Sequence, residues 1–251
     1  MMRRVLLLLP GLAFVASLAS GGEREHGAAP GRDCGVPREL VEDEPRLPGL
    51  AERLHAKQPV VITVIGGGST TGAAAGGPAN AYPHWLEAAL RRRHPQAQIT
   101  VINLGIARQT TEDMVQRFAA EIYPSRPNLV IWETGTVDAV RGTDIDDFTA
   151  ALESGIAALR EHNSEVMLVD MQYNSGTASV INFEPYLDAL HQVADLHDVY
   201  LFRRFDIMRY WSAEGMFDFV DVSKENRAAL AAEVYECLGE NLAEAVDFAA
   251  Q

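Results

Sequence analysis

The chain has 251 residues, 47% of them hydrophobic and 22% charged, with a formal net charge of −14. That length suits one large domain with a sizeable core, and the balance of polar and apolar residues excludes disorder and low complexity. A chain this acidic is repelled by phosphate backbones and anionic lipid, so nucleic acid is excluded as a natural partner.

The first twenty residues read as a secretory signal peptide. "MMRR" is a basic start, "VLLLLPGLAFVASL" an apolar stretch, and "SLAS" offers small residues for cleavage after Ala19 or Ser20. The Pro-Gly break disfavours a retained anchor, no cysteine follows directly for lipid attachment, and no later segment is long enough to span a bilayer. The protein is therefore expected to be exported, periplasmic or extracellular, with no stable membrane insertion after cleavage. Loss of Arg3 and Arg4 with the leader takes the net charge from −14 to −16.

Residues 21–56 carry Gly, Pro and charge without a sustained period and are expected to be an irregular lead-in to one domain over 57–251. Short β-rich runs follow at 60–65, 99–103, 128–133, 166–171 and 199–202, with helical stretches between them. The clearest helix covers 145–161, where Phe148, Leu152, Ile156 and Leu159 share a face behind a Thr143-x-x-Asp146 capping pattern. The last helix is expected to begin near Ser223 as N-cap, stacking Leu230, Val234, Cys237 and Leu238 on one side. Five strands alternating with helices imply an α/β fold, a parallel sheet covered on both faces. In an exported chain the two cysteines, Cys34 and Cys237, are expected to form a disulfide between the mature N-terminus and the last helix; the alternative is two buried free thiols.

The first strand runs into "GGGSTTG", which presents Ser69 at the strand's end. Three glycine-loop motifs fail here. A phosphate-binding P-loop needs a lysine, and none occurs between Lys57 and Lys224. Counting GxGxxG from Gly66 places Thr71 where the last glycine belongs, and GxSxG is missed by one residue. A tight strand-to-helix turn is the plain alternative. Further along, however, Gly105 follows the second strand in "VINLGIARQTTEDMVQRF". Gly135-Thr136-Val137-Asp138 follows the third, and Asp218 and Asp221 stand three apart in "FDFVDVSKENRAALAAEV".

This succession resembles the SGNH/GDSL hydrolase superfamily, whose four blocks carry a Ser, a Gly, an Asn and a His. The resemblance covers roughly residues 57–245. It implies a flavodoxin-like three-layer α/β/α sandwich with a five-stranded parallel sheet, and ester hydrolysis as the ancestral reaction. Ser69 matches the nucleophile, its backbone N–H and that of Gly105 match the oxyanion donors, and Asp218 matches the acid of D-x-x-H. Two departures stand out. Val137 occupies the position of the oxyanion asparagine and has no donor, a loss of the kind that costs about 10²–10³ in turnover. Asp221 occupies the position of the base histidine, and an ordinary aspartate is a poor base for a serine hydroxyl at neutral pH.

The resemblance therefore implies weak or lost hydrolysis in a protein that binds a small acyl ester or an envelope polysaccharide. The alternative is an active esterase or deacetylase using Asp221 or His84 as an unusual base. Arg108, Arg141 and Tyr173 are candidate substrate contacts, and Tyr82, Trp85 and Trp211 are further aromatic residues that could stack on sugar rings. His191 and His197 read as structural. Asp138, Asp218 and Asp221 could converge on a hard cation, but their spacing matches no known loop, so neither a metal nor a cofactor is expected. Neither substrate identity nor oligomeric state is written in these residues.

Overall fold

Five runs rich in Val, Ile and Leu form parallel strands: β1 (Val60–Ile65), β2 (Ile99–Asn103), β3 (Leu129–Glu133), β4 (Glu165–Val169) and β5 (Tyr200–Phe202). Their order in the sheet is β2-β1-β3-β4-β5. The structure is a computed structural model and describes residues 34–219 and 222–251. The helices in chain order are α1 (Pro48–His55), α2 (Gly68–Thr71), α3 (Tyr82–Arg93), α4 (Thr111–Val115) and α5 (Thr136–Arg141). They continue with α6 (Ile145–Glu161), α7 (Ser175–Ala178), α8 (Glu184–His197), α9 (Arg204–Ala213) and α10 (Arg227–Ala249).

Side chains alternate across a strand, so each strand feeds two cores. Ile62, Val64, Ile131 and Tyr200 face one side, packed with residues of α1, α3, α9 and α10. Ile65, Val130, Trp132 and Leu168 face the other, packed with residues of α4, α6 and α8. This is the expected three-layer α/β/α sandwich. The strand order reverses between β1 and its two neighbours, so the loops leaving β1 and β3 diverge and open a crevice at the carboxyl ends of the strands.

Three local expectations need correction. The stretch read as irregular contains α1, with Pro48 at its first turn and Leu50 fully buried. Its opening amides are satisfied from a distance: the Glu165 carboxylate accepts the N–H groups of Gly49 (2.9 Å) and Leu50 (2.8 Å). The cap of α6 is Asp144, whose side chain accepts from the Asp146 amide, one residue later than the Thr143 pattern proposed. Finally, α10 starts at Arg227. Residues 223–226 form a turn in which the Asn226 amide donates to the Ser223 carbonyl, delaying the helix by three residues.

Cys34 and Cys237 are disulfide-bonded, which ties the start of the described chain to α10. The Asn241 side chain reinforces the tie by donating to the carbonyls of Cys34 (3.0 Å) and Cys237 (2.9 Å). Gly239 lets α10 cross α3 closely; a Cβ there would lie 2.4 Å from the Trp85 Cβ. No helix among the described residues is long and apolar enough to cross a membrane. Residues 1–20, expected to be a signal peptide, lie outside the described residues.

Candidate functional site

At the end of β1 the chain turns through Gly66 and Gly67 into the single turn of α2, which carries Ser69. The neighbouring strand β3 ends in Glu133, and the two side chains meet. Ser69 Oγ donates to Glu133 Oε2 at 2.9 Å. The same oxygen accepts from Thr70 Oγ1 (2.6 Å) and from the Gly67 amide (3.1 Å). Tyr82 extends the network, its hydroxyl lying 2.9 Å from Thr70 Oγ1. Since the Thr70 proton is used on Glu133, the tyrosine is the donor.

From the far side of the sheet, Arg204 at the start of α9 completes the cluster. Its Nη1 donates to Ser69 Oγ at 2.8 Å and its Nη2 to Glu133 Oε1 at 3.2 Å. Arg204 is 1% exposed, Glu133 3% and Ser69 6%. Burial alone would raise the Glu133 carboxyl pKa, but Arg204, the two hydroxyls and the Gly67 amide outweigh it and hold the group below its usual range. The Ser69 hydroxyl is therefore clamped, giving its proton to an ionised carboxylate and accepting from a guanidinium.

Ser69 and Glu133 border a cavity of about 360 Å³, together with Gly68, Gln109, Val137 and Tyr235. The amides of Gly68 and Ser69 lie in the first turn of α2, where a helix supplies no acceptor of its own, so they are the donors available to an oxygen in the cavity. Val137 borders this cavity, as its place in the third block implies, and offers only methyl groups.

The remaining site expectations fare differently. The Gly105 amide donates to Asn103 Oδ1 at 2.9 Å, so its N–H is already used, and the residue does not border the cavity. It must be glycine for packing: a Cβ would come within 2.8 Å of the Thr70–Thr71 backbone. Asp218 is exposed and borders neither this cavity nor the one beside it, and Asp221 lies outside the described residues. His84 is exposed on the first turn of α3 with its ring edge against Trp85, and no described histidine borders the cavity. His94 meets Asp247, and His197 meets Glu153. Arg108 and Arg141 are exposed and joined, Arg141 Nη2 donating to the Arg108 carbonyl at 2.9 Å. Neither borders the cavity, although Gln109 next to Arg108 does.

Tyr173 borders a second, adjoining chamber. Tyr82 and Trp211 are core residues and not stacking surfaces, while Trp85 is half-buried between α3 and α10. Asp138 is buried, where it accepts from the Thr111 amide (3.1 Å) and hydroxyl (2.9 Å) and tethers α4 to α5. No group of three or more His, Cys, Asp or Glu among the described residues is placed to hold a metal ion.

Sequence reasoning missed Glu133, Arg204 and Tyr235. The available signal was a charge closing an otherwise apolar strand, in "NLVIWE" and just after "VYLF".

Residues 33–251 match the profile of the non-GDSL lipase-like family. No curated protein matches the chain. Among solved structures, it is similar to a two-domain esterase, CEX, active on acetylated mannans. That match has a TM-score of 0.67 and 20% identity, over 85% of this chain and 58% of that one. It is also similar to Axe2, an acetylxylan esterase from Geobacillus stearothermophilus, with a TM-score of 0.54 and 17% identity over 70% of this chain and 92% of the other. A third similar structure is the psychrotrophic esterase EstA from Pseudoalteromonas, with a TM-score of 0.53 and 17% identity over 72% and 98% of the two chains.

Proposed function

Because the chain belongs to the non-GDSL lipase-like family and has the SGNH/GDSL hydrolase fold, we propose that it is an exported protein that binds an acyl-bearing ligand, free or carried on a polysaccharide. Hydrolysis of that ligand is weak or lost. The observation that carries this reading is the clamp on Ser69 between Glu133 and Arg204. Nucleophilic attack needs a free lone pair on Oγ and a base ready to take its proton. Arg204 occupies the lone pair with a positive charge, and Glu133 is held ionised, which makes it a reluctant proton acceptor. Each pKa unit between donor and acceptor adds about 1.4 kcal/mol to the transfer. Val137 gives no help to a developing oxyanion.

Export is supported by the basic-apolar-small order of residues 1–20 and by the Cys34–Cys237 disulfide, which suits an oxidising compartment. Two of the esterase neighbours act on acetylated carbohydrates, and acyl esters are the ligand class this supports for the crevice.

One observation favours a second reading, an active esterase with an unusual base. Glu133 Oε2 lies within hydrogen-bond reach of Ser69 Oγ, a better placement than that of exposed His84. Hydrolysis of a small acetyl ester separates the two. The binding reading expects wild type and Ser69→Ala to hydrolyse it at the same background rate. A Ser69-dependent rate that falls again in Glu133→Gln would favour the second reading.

A further inference from the structure

The Ser69 cavity shares lining residues with a neighbour. A second chamber of about 350 Å³ adjoins it, and Ala74, Gln172 and Tyr235 border both. Resting on the reading of the crevice as a ligand site, we propose that the ligand's acyl chain is several carbons long, with its carbonyl oxygen held by the Tyr235 hydroxyl at the junction. Its tail lies in the second chamber beside α10.

Tyr235 carries the first half of the argument. It is 6% exposed, yet its hydroxyl makes no hydrogen bond to a described residue and is not sealed from solvent. Tyr235 borders both chambers, so its hydroxyl, bonded to no described residue, is available to a ligand oxygen at their junction. Burial, opposed by Arg204 and aided by Glu133, pushes the phenol up to about 12, so it keeps its proton and has it to donate to a ligand oxygen. It also supplies the side-chain donor that Val137 lacks.

The chamber carries the second half. Met208, Leu230, Ala231 and Val234 give it an apolar wall. An acetyl group fits within the Ser69 cavity and would leave that wall in contact with water. A longer chain passing Tyr235 would cover it, and both chambers have the size of pockets that enclose small molecules.

The test uses acyl amides of one amine, from acetyl to octanoyl, which resist hydrolysis, with binding to the full mature protein measured by calorimetry. Wild-type affinity should rise about fourfold per buried methylene until the chamber is full. Ala231→Trp, which fills the chamber, should bind the acetyl amide as before and lose the dependence on chain length. Tyr235→Phe should weaken every member by a common factor of about five. Wild-type affinity that is measurable for the acetyl amide but flat with chain length would overturn the proposal and leave the ligand-site reading standing. So would unchanged affinities in Tyr235→Phe. No binding by any member would overturn both.

Discussion

Glu133 and Arg204 stand almost wholly out of water, 3.2 Å apart, and each is the main answer to the other's charge. Removing one member of such a pair strands the other, at a typical cost of about 3–5 kcal/mol, whereas removing both can be nearly neutral. Arg204→Met alone should therefore destabilise the fold strongly. Glu133→Gln combined with Arg204→Met should recover most of that loss, as read by urea denaturation. Destabilisation that simply adds in the double variant would mean the two groups are not coupled. Both residues were visible in the sequence as charges at the ends of apolar runs. Their partnership was not, because Glu133 and Arg204 are separated by 71 positions and meet only once the sheet order is fixed. Ser69, in contrast, was legible, since a glycine-rich stop after a buried strand places the next hydroxyl at a strand end. What the sequence could not show was where that hydroxyl turns.

Among the elements, α10 has the most to hold. It is 23 residues long, packs on α3 through Gly239, contributes Cys237 and Asn241 to the tie with the start of the described chain, and brings Tyr235 to the cavity. Because the disulfide spans 203 positions, opening it frees a large part of the unfolded chain. Cys34→Ser with Cys237→Ser should lower stability by about 2–5 kcal/mol. Thermal melts with and without a reductant should show the same drop in wild type and none in the double variant. An unchanged melt on full reduction would contradict this. The apolar face of α10 was readable from its 3.6-residue period, as was all of α6. The start of α10 was not, because Ser223 is as suited to a turn as to a cap, and here its carbonyl accepts the Asn226 amide in a turn. For α1 the deciding partner was Glu165, on a strand more than a hundred residues away.

For the whole molecule, the five strands were legible to within two residues because a parallel sheet buried on both faces demands unbroken Val/Ile/Leu runs. Its pH dependence was not legible, since Asp170 reads as part of one such run. It lies at the end of β4, fully buried, and its Oδ1 accepts from the Phe205 amide at 2.8 Å. Burial pushes its pKa up to about 7, against an unfolded value near 3.9. The folded state therefore binds the extra proton between those two values. The stability Asp170 contributes is full below about pH 4 and is lost as pH rises toward 7, on the order of 4 kcal/mol in all. Asp170→Asn keeps the acceptor and removes the titration. Its melting temperature should exceed that of wild type at pH 8 by more than at pH 5, and an equal difference at both pH values would refute the assignment.

The central claim is that the hydroxyl of Ser69 is held as part of a ligand site and is not an activated nucleophile. The most direct measurement is active-site titration with a fluorophosphonate, read by intact-protein mass spectrometry against Ser69→Ala. The clamp predicts no phosphonyl adduct on the wild-type protein beyond that on Ser69→Ala, even at long incubation with excess reagent. One adduct per molecule, mapped to Ser69 and formed at the speed of an ordinary serine esterase, would contradict it.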